Sequence, residues 1–237
     1  MQYLIYIPLA IIPSLIWLLW YLHKDRHPEP KAMVISVFIW GMLIAFPAIL
    51  IENTAIETLK IFSLPPLPYA LVLYFIGVAA TEEILKFLVV YFRVIKRTNE
   101  LDEPTDAMIY MIIVALGFAA IENIFLLAPL FDKNFVETLG IAFSRFVGAT
   151  LLHAVASAII GYYLAVSLFR SSQKFSALIP GFTLAILLHG FYNVFIIYME
   201  DQFYFMFVVA LMLISAVVLI SMFFKNLSKI KSVTQTK

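Results

Sequence analysis

The chain has 237 residues, 63% hydrophobic and only 13% charged, with a formal net charge of +1 and no cysteine. Soluble domains carry about 45–50% apolar and about 25% charged residues, so the composition excludes that class and points to a polytopic, all-α membrane bundle. It also excludes disulfides, thiolate nucleophiles and cysteine-held metals, and it offers no basic surface for nucleic acid.

Apolar runs of about 20 residues mark membrane-spanning helices. In chain order they fall near 3–22, 32–51, 69–92, 107–129, 147–169, 176–199 and 203–224. The first lacks a positive n-region and has its basic residues after the apolar run, so it reads as an uncleaved span rather than a signal peptide. The apolar stretch from Phe135 to Phe169 is too long for one ordinary span. A short interfacial helix near 135–146 is the alternative, giving eight elements instead of seven. Residues 1–224 are expected to form one integral helical domain, with 225–237 as a basic cytoplasmic tail.

Basic residues sort by connection. Lys24, Arg26 and Lys31 follow the first span, Arg93, Lys96 and Arg97 the third, Arg170 and Lys174 the fifth, and Lys225, Lys229, Lys231 and Lys237 the last. The even connections hold only Lys60 and Lys133. The positive-inside rule then places the N-terminus outside and the C-terminus in the cytoplasm. Lys86 and Arg145 escape this scheme; Arg145 is expected to snorkel at the outer interface, and Glu52 and Glu57 to be solvated at the outer end of the second span.

Four spans carry groups that a bilayer rejects: Thr81-Glu82-Glu83-Ile84-Leu85-Lys86, Phe118 to Asn123 with Glu122, His153 to Ser157, and His189-Gly190-Phe191-Tyr192-Asn193. A charge at the centre of a spanning helix costs about 2.5–3.5 kcal/mol even on gentle scales. At 1.5 Å per residue, Glu82, Glu122, His153 and His189 lie about 16–24 Å from the cytoplasmic ends of their helices, in one layer at the midplane or outer half. Convergence on a common pocket follows. Residues four apart share a face, which pairs Glu82 with Lys86, His153 with Ser157 and His189 with Asn193. The adjacent glutamates point about 100° apart and are expected to do different jobs.

Two histidines and a glutamate on separate helices can hold Zn²⁺ with one position left for water, a second glutamate acting as base. Glu122, His153 and His189 are the metal candidates. A metal-free scheme also fits, with Glu82 and a histidine activating water and Asn193 or the other histidine stabilising the oxyanion. The same layer would serve a proton- or ion-coupled carrier, although no inverted repeat or paired broken helices accompany it. A non-enzymatic scaffold is the third reading.

The ordered set EExxK, FxxxEN, HxxxS and HGxxN, with the stretch Asp25-Arg26-His27-Pro28-Glu29-Pro30 after the first span, resembles the PrsW family of intramembrane proteases. The likeness runs from about residue 24 to 197. Relatives that process CAAX proteins and bacteriocins usually have a histidine where this chain has Glu122 and a differently spaced arginine where it has Lys86, which favours the PrsW branch. The resemblance implies an endopeptidase of a multi-pass prokaryotic plasma membrane, acting on a single-span substrate such as an anti-sigma factor on its extracytoplasmic side. It marks Glu82, Glu83, Glu122, His153 and His189 as catalytic or metal-binding candidates, and the reading of the residues above adds Lys86 and Asn193 to the catalytic set.

Overall fold

The computed structural model describes residues 3–23, 27–98, 100–130, 135–169, 175–198 and 202–230. Among them there is no strand. The helices are α1 (Tyr3–Leu22), α2 (Lys31–Ile61), α3 (Pro66–Val72), α4 (Thr81–Val90), α5 (Pro104–Leu127), α6 (Phe135–Val147), α7 (Ala149–Phe169), α8 (Leu178–Tyr198) and α9 (Gln202–Leu227). Two π-helical segments, Leu73–Ala80 and Tyr91–Ile95, join α3 to α4 and extend α4, so one helical rod runs from Pro66 to Ile95.

Five of these helices are long and apolar enough to cross a membrane, in the stretches Lys31–Ile61, Pro104–Leu130, Thr138–Phe169, Leu178–Ile197 and Ala210–Leu227. The rod from Pro66 to Ile95 is not among them; its α-helical parts are only 7 and 10 residues long and are separated by a π-helical segment. Two boundaries differ from expectation. α2 continues ten residues beyond 51, and residues 135–147 form the separate helix foreseen as the alternative, bending into α7 at Gly148.

α5 and α7 form the centre. Every residue from Ala107 to Ala120 is buried, as is every residue from Ala149 to Gly161. A helix buried all round needs no amphipathic stripe, and neither has one. Lipid offers no hydrophobic drive between helices, so close packing at small residues must hold α2 to α5. A methyl group at Gly117 would land on the Phe38 carbonyl, and one at Gly41 on the Val114 carbonyl. α9 docks on α7 through the Tyr162–Phe223 stack, ring centroids 3.9 Å apart, and Asn226 Nδ2 donating to Tyr162 Oη at 2.6 Å.

The start of α5 is fixed locally. Pro104 sits at the first helical position, and Glu103 and Asp106 form a reciprocal cap, with the Glu103 amide donating to Asp106 Oδ2 at 2.6 Å. The connection before α2 is tied to the same end: the Tyr110 hydroxyl donates to the buried Glu29 carboxylate, and His27 Nδ1 lies 2.6 Å from Glu103 Oε1. This accounts for the second half of the 25–30 stretch; Asp25 and Arg26 lie outside the described residues. So do Lys24, Lys133, Arg170, Lys174, Lys231 and Lys237. Of the expected tail, Lys225 to Leu227 form the last turn of α9.

Candidate active site

Five helices, α4 to α8, send polar groups to one buried cluster. Glu82, Glu83 and Lys86 lie on the first two turns of α4, just after the first π-helical segment. Such segments recur at functional sites. Glu122 lies near the end of α5, Arg145 on α6, His153 and Ser157 on α7, and His189 on α8. Glu82, Glu83, Lys86, His153 and His189 are each at most 3% exposed.

Lys86 is the hub. Its Nζ lies 3.0 Å from Glu82 Oε2, 2.9 Å from Glu83 Oε1 and 2.9 Å from His153 Nδ1. The Phe118 ring lies beneath it, 4.4 Å to the centroid. An ammonium has three hydrogens and no acceptor. His153 Nδ1 therefore accepts, and the ring's proton sits on Nε2, which donates to Glu122 Oε2 at 2.7 Å. Glu122 thus sets the tautomer of His153 from the far side of the ring.

The two adjacent glutamates are held unequally. Glu83 Oε1 faces both Lys86 and His189 Nδ1, the latter at 3.1 Å, and Glu83 Oε2 accepts from Ser157 Oγ at 2.8 Å. Among the described residues, Glu82 has one hydrogen bond, from Lys86. His153 Nδ1 stands 3.5 Å and His189 Nε2 4.0 Å from Glu82 Oε2, too far for strong hydrogen bonds. Three of the four acceptor sites of Glu83 are taken, against one of those of Glu82. The two imidazoles meet edge to face, centroids 5.0 Å apart.

Several expectations change here. Ser157 serves Glu83 on another helix, not His153 one turn away. Asn193 is half-buried, and among the described residues no hydrogen bond ties it to His189 or to the cluster. Arg145 does not snorkel: its Nε donates to Asn123 Oδ1 at 2.6 Å and its guanidinium lies 3.1 Å from Glu122 Oε2. Asn123 itself glues helices together, donating to Thr150 Oγ1 and to the Ala10 carbonyl. Gly190 admits the ring of Phe75, not a second backbone. Glu52 is not a solvated surface group; it is half-buried, with one carboxyl oxygen out of reach of solvent.

Among the described residues, one group of side chains could hold a metal ion, and it shares His153 and His189 with the expected set. Glu82, Glu83, His153 and His189 each offer a ligand atom, all within 4.8 Å of one another. Glu122 is not in that group. Two imidazoles and two carboxylates, buried and converging, suit Zn²⁺. The Lys86 ammonium occupies the same space, with its positive charge facing three of these four side chains.

Carboxylates, imidazoles and a lysine gathered inside a membrane bundle are the equipment of an intramembrane hydrolase, and the comparisons make that specific. The sequence model described as PrsW family intramembrane metalloprotease matches residues 29–220. Protease PrsW of Geobacillus kaustophilus (strain HTA426) is 33% identical over 186 residues, covering 78% of this chain and 76% of that protein. Those of Oceanobacillus iheyensis (33% over 184 residues, 78% and 79% covered) and Clostridioides difficile strain 630 (30% over 190 residues, 78% and 76% covered) are similar. No solved structure matches the chain. The chain belongs to the PrsW family of intramembrane metalloproteases, and it is a multi-pass membrane hydrolase of peptide bonds. The carrier reading is not favoured.

Proposed function

We propose that this chain cleaves a single-span membrane protein, such as an anti-sigma factor, near the extracytoplasmic half of the bilayer, with Glu82 as the base that takes a proton from the attacking water. The observation that carries this is the unequal holding of the two glutamates, which leaves Glu82 with free lone pairs beside both imidazoles. Glu83 positions: bound by Lys86, His189 and Ser157, it fixes the α4, α7 and α8 groups relative to one another. Glu122 holds His153 with Nε2 protonated. Lys86 donates to Glu82 Oε2 at 3.0 Å and so holds that carboxyl in place, and His189 is placed to return the proton to the leaving amine.

If a Zn²⁺ is bound, its ligands would come from Glu82, Glu83, His153 and His189, and it would supply Lewis-acid polarisation of the carbonyl and a more acidic water. Seven spans with the N-terminus outside and the chain in the cell membrane complete the reading, supported by the sorting of basic residues between connections.

The test is purified protein in lipid vesicles with a single-span anti-sigma factor as substrate. Wild type is expected to release the extracytoplasmic fragment, and Glu82→Gln and His189→Ala to abolish release while eluting as folded protein. Cleavage undiminished in both variants would overturn the assignment. Metal analysis of the purified wild type, set against His153→Ala, decides the ligand set: loss of bound zinc is expected if His153 holds it.

A further inference from the structure

Glu52 lies outside the cluster just described, and its placement is unusual. On α2, Gly41, Ala45 and Ala48 are buried. Glu52 is eleven residues from Gly41, about three turns and within about 20° of the same face. It therefore turns inward, towards α5. Its carboxyl is close enough to feel the charges of Glu82, Glu122 and Lys86. Among the described residues its Oε1 is buried and has no hydrogen-bond partner. Buried acceptors in native folds are almost always paired, so an unpaired one needs a reason.

One turn beyond Glu52, Ala55 lines an open groove of about 490 Å³ between α2 and the π-helical segment that precedes Glu82. Ile51 and Leu59 line it from α2, and Val72 and Ile76 from the facing rod. Thr54 and Thr58 also border it, but their hydroxyls are used within α2, donating to the Leu50 and Thr54 carbonyls at 2.8 and 2.7 Å. The groove thus offers an apolar wall, and Glu52, which does not itself line it, lies one turn before Ala55 on the side of α2 that faces α5.

A peptide bond offered for hydrolysis must leave its helix, and the N–H groups it frees have no water to bind within the bilayer. On the reading that the cluster is a protease site, we propose that Glu52 is a substrate-positioning residue: the membrane segment of the substrate enters along this groove, and the unpaired Glu52 oxygen accepts a backbone N–H of the unwound stretch beside the bond to be cut. A carboxyl oxygen accepts in either protonation state, so the role requires no charge.

The experiment uses a fluorescent peptide comprising the span and adjoining extracytoplasmic residues of an anti-sigma factor. Its turnover is measured in Glu52→Ala, Glu52→Leu and Glu52→Gln, and its binding in the same three changes placed on the inactive Glu82→Gln background. Glu52→Ala and Glu52→Leu are expected to raise KM and Kd about fivefold to tenfold, the scale of one hydrogen bond, with kcat within about twofold. Glu52→Gln keeps an acceptor and is expected to stay within about twofold of wild type in both. Glu52→Leu removes an unpaired buried acceptor, so its melting temperature is expected at or above that of wild type; a residue with a structural role would lower it. Unchanged Kd in Glu52→Ala and Glu52→Leu overturns the proposal, as does a Glu52→Gln that falls with them through kcat. Binding that depends on Glu52 in a wild type that never cleaves would sink the hydrolase reading alone.

Discussion

At the scale of single residues, Glu82 and Glu83 are chain neighbours with different numbers of donors, and that difference can be measured. Glu83→Gln disturbs a carboxylate facing Lys86, His189 and Ser157, so it is expected to lower the melting temperature as well as activity. Glu82→Gln is expected to abolish cleavage while melting close to wild type. Equal melting losses in both would contradict the division of labour. Lys86→Met strips two buried carboxylates of their cation, a loss of about 3–5 kcal/mol, and is expected to yield protein that melts much earlier in detergent. Adding Glu83→Gln to Lys86→Met should recover part of that loss, since one unpaired charge disappears; a further drop would show that Lys86 acts by packing alone.

The residues of this cluster were largely legible in the sequence, because a carboxylate, lysine or imidazole inside a spanning run is conspicuous. Their partners were not. Same-face spacing pointed Ser157 to His153, whereas the hydroxyl reaches across to Glu83, since tertiary contacts compete with local ones on equal terms in a buried core. Arg145 and Glu52 were assigned to the outer surface because a twenty-residue window fixed where the spans should end. α2 is 31 residues long and α6 folds back onto the bundle, so both side chains are at least half-buried.

At the scale of elements, α2 and α5 approach so closely that side-chain atoms are unwelcome between them. Gly117→Ala is expected to destabilise by about 1–3 kcal/mol through overpacking against the Phe38 backbone. It should also weaken activity, because Phe118 beneath Lys86 shifts with it. Gly140→Ala is the control: a methyl there meets nothing within 4 Å, so helix propensity dominates and the variant should gain about 0.5–1 kcal/mol. Thermal unfolding followed by fluorescence-detected size exclusion checks both, and opposite signs are the expected result. The existence of these helices followed from apolar runs alone. The π-helical segments did not, since Leu73–Ala80 reads LYFIGVAA and nothing in that string distinguishes five-residue from four-residue hydrogen bonding.

At the scale of the whole molecule, the proposed arrangement in the membrane rests on where the cations fall, and the chain is suited to testing it because it contains no cysteine. A single cysteine placed on an exposed connection is then the only thiol a maleimide can find. Ser63, exposed between α2 and α3, lies on the outer side if the N-terminus is outside. On the same orientation, Lys96, exposed after the second π-helical segment, and Ser228, exposed after α9, would lie in the cytoplasm. In intact cells, Ser63→Cys is expected to react with a membrane-impermeant maleimide, and Lys96→Cys and Ser228→Cys only after the membrane is opened. The reverse pattern would place the catalytic cluster in the inner half of the bilayer, because Glu82 sits about 21 Å along the helical rod from Lys96 at 1.5 Å per residue. It would then deny the enzyme an extracytoplasmic substrate. Labelling of Ser63→Cys and Ser228→Cys together from outside would require an even number of crossings between them, and the odd number that connects α2 to the basic C-terminal segment would have to be abandoned.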